Sequence, residues 1–79
     1  KGITTDNVGN VYVSDASFGN VQVFNSKGQF LIALGEKSLE DRPGGYHLPI
    51  GLAVDEKNYL YIADAIFDKL DIIKKVIEE

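Results

Sequence analysis

The chain has no cysteine, no methionine and no tryptophan, and 79 residues hold one arginine and one histidine. Each scarcity excludes something. Without cysteine there is no disulfide and no thiolate metal site to staple a short chain. Without methionine, even at the first position, Lys1 is expected to be an internal residue of a longer translated product. Basic residues are also few: 12 Asp and Glu stand against 8 Lys and Arg, for a net charge of −4. That balance disfavours the basic surface that phosphate backbones require, so no nucleic-acid partner is expected. No apolar run approaches the ~18 residues of a membrane span, and no secretory leader pattern is present. A hydrophobic content of 44% argues against disorder. A chain this short buries only ~60% of its unfolded surface and is marginal by itself.

What is there is a repeat. Shifted by 49 positions, the chain aligns with itself without a gap from Gly2 on Gly51 to Asn25 on Lys74. Gly2, Asp6, Tyr12, Asp15, Ala16 and Phe18 are identical to Gly51, Asp55, Tyr61, Asp64, Ala65 and Phe67. Six further pairs, such as Val11 with Leu60 and Val23 with Ile72, exchange one bulky apolar residue for another. Chance would supply roughly one or two identities over such a length, and periods of this size mark repeat architectures.

Each unit reads as short β segments separated by turns. Residues 3–6 form a first strand, followed by the turn Asp6-Asn7-Val8-Gly9-Asn10. There the Asp side chain accepts backbone N–H groups and Gly9 supplies a positive φ. Asn58 stands where Gly9 does, and asparagine is among the best non-glycine residues for that conformation. Second strands cover residues 11–14 and 59–63, apolar on both faces as strands covered on both sides are. A third strand covers residues 21–24, Ser26-Lys27-Gly28 makes a tight hairpin, and a fourth covers residues 29–34. Its period of two separates Phe30, Ile32 and Leu34 from Leu31 and Ala33, and Gly35 ends it. Residues 65–79 admit two readings. Ile66, Leu70, Ile73 and Ile77 recur at helical spacing with Asp64 as a cap, whereas the repeat makes residues 70–73 a third strand.

A twisted meander of four strands that is apolar on both faces needs a like sheet on each side, the solution that β-propellers adopt by radial repetition. The residues themselves resemble a family at this point. Pro49-Ile50-Gly51-Leu52-Ala53-Val54-Asp55 and Tyr59-Leu60-Tyr61-Ile62-Ala63-Asp64 resemble the NHL repeat of six-bladed β-propellers. So do Gly9-Asn10-Val11-Tyr12-Val13-Ser14-Asp15, Val21-Gln22-Val23-Phe24 and Gly28-Gln29-Phe30 in the first unit. The fold class expected is all-β: one full and one partial propeller blade, each a four-stranded antiparallel meander. Residues 1–35 would form the first blade, 36–49 the inter-blade connection and 50–79 a second, incomplete blade. The chain departs from the family pattern in its long segment 36–48, in Asn20 where a basic residue is common, and in the last unit's missing glycine and aromatic residues.

The resemblance is specific for fold and unspecific for function. It implies a ligand- or protein-binding scaffold or sensor, not catalytic by itself, in an exported or cell-envelope setting. The alternative it leaves open is part of a metal-dependent lyase or lactonase whose site needs further blades. Partners implied are other blades of the same chain or of further copies, and a protein or small-molecule ligand. No cofactor and no catalytic residue are expected.

The long connection carries the only arginine and the only histidine. With turns alternating between the two ends of a meander, residues 15–20, 64–69 and 35–48 are expected at one end. Arg42, Tyr46, His47 and Phe18 are therefore the candidate contact patch for an anionic or aromatic ligand. The plainer reading is a solvated connector with Tyr46 packed over a sheet edge. No histidine, cysteine or close carboxylate accompanies His47 at ligand spacing, so no metal is assigned. Asp6, Asp15, Asp55 and Asp64 recur at equal repeat positions, which fits turn-capping carboxylates better than a catalytic acid, needed once. Tyr12 with Tyr61 and Phe18 with Phe67 read as packing between blades.

Overall fold

The computed structural model describes residues 2–74, and of Ile50 the backbone alone. The described residues are all-β. Strands β1 (Ile3–Thr5), β2 (Val11–Asp15), β3 (Asn20–Phe24) and β4 (Phe30–Leu34) form a four-stranded antiparallel meander in sequence order. A two-residue parallel pair follows, β5 (Glu36–Lys37) with β6 (Gly45–Tyr46). Strands β7 (Pro49–Val54), β8 (Leu60–Asp64) and β9 (Lys69–Ile73) make a second antiparallel meander. Residues 65–68 are a turn and Lys69–Ile73 is a strand, so the helical reading of the last segment fails where it can be checked. Its remainder, residues 75–79, lies outside the described residues. Among the described residues no helix is long and apolar enough to cross a membrane.

The turns follow from residue chemistry. Gly9 and Asn58 share a positive φ, 91° and 63°, and close equivalent turns in the two units. Gly19 and Asp68 do the same at the next loop, with φ of 63° and 55°. Asparagine and aspartate tolerate this region far better than other side chains do. Pro49 takes the first position of β7, where its missing N–H breaks no interior ladder.

The two meanders lie face to face and bury unlike faces. In the first sheet Tyr12, Ser14, Val21 and Val23 point inward and are buried. In the second, the buried side chains are Leu60, Ile62 and Asp64, whose repeat counterparts are Val11, Val13 and Asp15. The second sheet thus covers the first with the side that the first turns away. Leu34, Leu52, Val54 and Ile73 close the rim of this core. At the end nearer the β1–β2 and β7–β8 turns, Asn58 Nδ2 donates to Asn7 Oδ1 at 2.9 Å and Asn7 N donates to Asn58 Oδ1 at 3.3 Å.

The same sheet offers a matched pair for testing this arrangement. Leu60 is fully buried, while Leu70 is 59% exposed on the outer face. Leu60→Ala is expected to cost about 2–5 kcal/mol through lost burial and a residual cavity. Leu70→Ala at low protein concentration is expected to cost under about 0.5 kcal/mol. Urea midpoints at constant m-value measure both.

Candidate functional site

The long connection folds back as a strap across one end of the sheet pair. Its backbone is tied by Glu36 N to Gly44 O at 3.0 Å, Ser38 N to Tyr46 O at 3.0 Å and Gly45 N to Arg42 O at 2.9 Å. It passes so close to the first sheet that two glycines are obligatory. A side chain at Gly19 would strike the Lys37 backbone and Tyr46 O, and one at Gly35 would strike the Tyr46 ring. Asp68, the counterpart of Gly19, carries a side chain at a similar positive φ and is exposed.

Of the sequence-proposed contact residues, Tyr46, His47 and Arg42 are tied into the protein itself. Tyr46 is buried in the core between the sheets, and its hydroxyl donates to Asp71 Oδ2 at 2.7 Å. Burial, then the hydrogen bond and charge of Asp71, push this phenol well above its usual value, so it remains a neutral donor. His47 packs edge-on against Phe67, ring centroids 5.9 Å apart, with Nδ1 3.3 Å from Ser38 O. Arg42 Nη2 pairs with Glu36 at 2.8 Å, and its Nε donates to Ser38 Oγ at 3.2 Å. Phe18 alone of the four is free, 66% exposed at the tip of the β2–β3 loop. Its counterpart Phe67 lies under His47 and the Lys69 ammonium.

Two lysines that carry no motif organise this end. Lys37 Nζ donates to Ala16 O at 3.0 Å and His47 O at 2.7 Å, bridging a loop of the first sheet to the strap. Lys69 Nζ donates to Arg42 O at 3.0 Å, pairs with Asp41 at 3.1 Å, and sits 5.1 Å from the Tyr46 ring centroid and 5.5 Å from that of Phe67. With its side chain only 16% exposed, Lys69 gains more from the rings than a surface lysine would. The sole sequence signal for it was the basic residue retained at the position where the first unit has Asn20.

The four repeated aspartates are bound into turns in two pairs. Asp6 Oδ1 accepts Val8 N and Asn10 N, and its Oδ2 accepts the Tyr12 hydroxyl at 2.9 Å. Asp55 repeats this with Lys57 N, Tyr59 N and the Tyr61 hydroxyl at 2.8 Å. The aspartate–tyrosine bond of each unit spans six residues, an offset that recurs in the sequence. Asp15 Oδ1 accepts Ser17 N and Phe18 N, as Asp64 Oδ1 accepts Ile66 N and Phe67 N. Asp64 goes further: its Oδ2 accepts His47 N at 2.8 Å and Leu48 N at 3.2 Å, pinning the strap to the second sheet.

These bonds set the charge states. Burial pushes the Asp64 carboxyl up, but the N–H groups of Phe67, His47, Leu48 and Ile66 outweigh it and hold it below the usual range. Asp6 behaves alike, burial being outweighed by donors from Asn10, Tyr12 and Val8. At Asp55 the Tyr59 N–H leads, against burial and with Tyr61 and Lys57 assisting. Among the described residues no group of three or more His, Asp or Glu side chains could hold a metal ion. Compared with known proteins, the chain matches no family model and no curated sequence.

Because these carboxyls titrate lower in the folded than in the unfolded chain, their contribution is fully present above the unfolded aspartate value of about 3.9. It is lost as pH falls through the lower folded values. The urea midpoint is therefore expected to hold steady near neutrality and decline below about pH 4. Asp64→Asn replaces one accepting oxygen by a donor facing N–H groups. It is expected to cost on the order of 2 kcal/mol at pH 7 and to flatten the acid decline.

Proposed function

We propose that the chain is an NHL-type propeller segment that serves as a binding or scaffold module and is not catalytic by itself. The observation that carries this reading is the sense of stacking. Two units of one repeat meet through unlike faces, as successive blades of a propeller do, and each leaves its other face for a further unit. The polar constellations support the same reading. Asp6, Asp55 and Asp64 spend both carboxylate oxygens on neighbouring donors. None is held in the raised, proton-bearing state that a general acid at neutral pH requires.

The strap end is the proposed ligand face, with Phe18 as its free aromatic and the half-exposed guanidinium of Arg42 on the strap itself. An aromatic 66% exposed on a loop is a usual anchor for a protein or small-molecule partner.

Calorimetric titration with Ca2+ and Zn2+, joined to a hydrolysis screen over lactones, tests the non-catalytic reading on the chain and on any longer protein that carries it. No metal heat and no turnover are expected. Metal-dependent turnover would replace this reading with the lyase or lactonase one.

A further inference from the structure

The outer face of the second sheet is a socket whose plug is already present on the first sheet. On that outer face Ala53, Tyr61, Ala63, Leu70 and Ile72 stand together, with Leu70 59% and Ile72 51% exposed. Ala63 and Leu70, with Gly51 and the β8–β9 turn, line an open groove of about 510 Å3, and Ala53 and Tyr61 join Gly51, Ala63 and Leu70 around a second of about 230 Å3. Their repeat counterparts are Thr4, Tyr12, Ser14, Val21 and Val23, the inward side of the first sheet. Within the chain that inward side is covered by Leu52, Leu60, Ile62 and Ile73. The counterparts of those covering residues are Ile3, Val11, Val13 and Phe24, on the outer face of the first sheet. Ile3 is 70% exposed there.

The contact made once inside the molecule is therefore encoded twice. From this we infer that a second copy of the chain docks head to tail, the outer face of its first sheet seated on the outer face of the second sheet of its neighbour. The inference rests on the blade reading for the sense of stacking, and it supplies the occupant of the open face. The side chains fit: Val21 and Val23 become the bulkier Leu70 and Ile72, while Leu60 and Ile62 become the slimmer Val11 and Val13. The volume added on one side is removed on the other, which packed cores tolerate best.

Two supports of the internal contact are missing between copies. Asn7 and Asn58 become Glu56 and Gly9, which cannot exchange the same amide bonds, and among the described residues the Asp68 turn is exposed, unlike its counterpart at Gly19 under the strap. The association is therefore reversible and weaker than the internal contact. An interface of two different patches does not close on itself at two copies. It propagates until rotation closes a ring or an open chain forms.

Sedimentation equilibrium over a wide concentration range tests this on the 79-residue chain. The mass average is expected to rise above the monomer value of 8.7 kDa as concentration increases. Leu70→Glu blocks the socket and Ile3→Glu blocks the plug, both at exposed positions. Each variant alone is expected to remain monomeric, and an equimolar mixture is expected to form a dimer, because each retains the face that the other needs. If either variant loses its fold, Leu70→Thr and Ile3→Thr replace them and are expected to weaken association at least tenfold.

Three results would overturn the proposal. One is a wild-type chain that stays monomeric throughout. Another is a mixture that never pairs. The third is association abolished by Leu70→Glu and untouched by Ile3→Glu, the signature of like faces pairing. Amide exchange at Val23 and Ile62 in the same samples separates the causes. A monomer with protected amides removes the docking and leaves the two-sheet unit standing. A monomer with unprotected amides removes the stacking on which the blade reading rests.

Discussion

The structure depends on one constraint: two sheets with the same chemistry on both sides cover each other by opposite sides. A stack built on like faces would be complete at two sheets, with its outer sides free to be polar. A stack built on unlike faces is never complete at two, because each sheet must be apolar on both sides to serve in turn as cover and as base. The composition of the strands obeys the second rule. Val11, Val13 and Phe24, half-buried on the outer face of the first sheet, are as apolar as Leu60, Ile62 and Ile73, which they match and which pack in or against the core. Leu70 and Ile72 are bulkier than the fully buried Val21 and Val23.

Polar groups hold this stack at its two ends rather than in its middle. At one end Asn7 and Asn58 exchange side-chain and backbone bonds across the sheets. At the other the strap is fastened to the first sheet by Lys37 and to the second by Asp64, Asp71 and Lys69. Tyr46 joins the two systems, because its ring completes the apolar core and its hydroxyl reaches Asp71. Burying such a ring is favourable only when the hydroxyl keeps a partner, which ties the position of the strap to that of β9. The residues that look most like a ligand-binding cluster in the sequence are, in three cases out of four, the fastenings of this strap.

Much of the fold was legible because repetition multiplies weak signals. One glycine followed by alternating apolar residues says little. The same pattern again at an offset of 49, with asparagine standing for glycine at a positive φ, identifies a turn. Strand ends read from the sequence lie within one residue of those observed for β1–β4, β8 and β9. The capping carboxylates were legible for the same reason, since Asp6 and Asp55 stand at equal places before equal turns. The strap was not legible. It occurs once, its pairing β5–β6 is only two residues long, and its anchors reach from Lys37 to Ala16 and from Tyr46 to Asp71, separations of 21 and 25 residues.

By itself the sequence determined the repeat, the strands within each unit, the turns between them and the carboxylates that cap those turns, since all of these are local. It could not determine which face of each sheet is buried, because the strands are apolar on both sides and alternation carries no preference. Only the tertiary structure decided that Tyr12 and Val23 turn inward while their counterparts Tyr61 and Ile72 turn outward. The physical reason is positional: the first sheet has its neighbour on one side and the second sheet has it on the other. Identical residues therefore meet different surroundings.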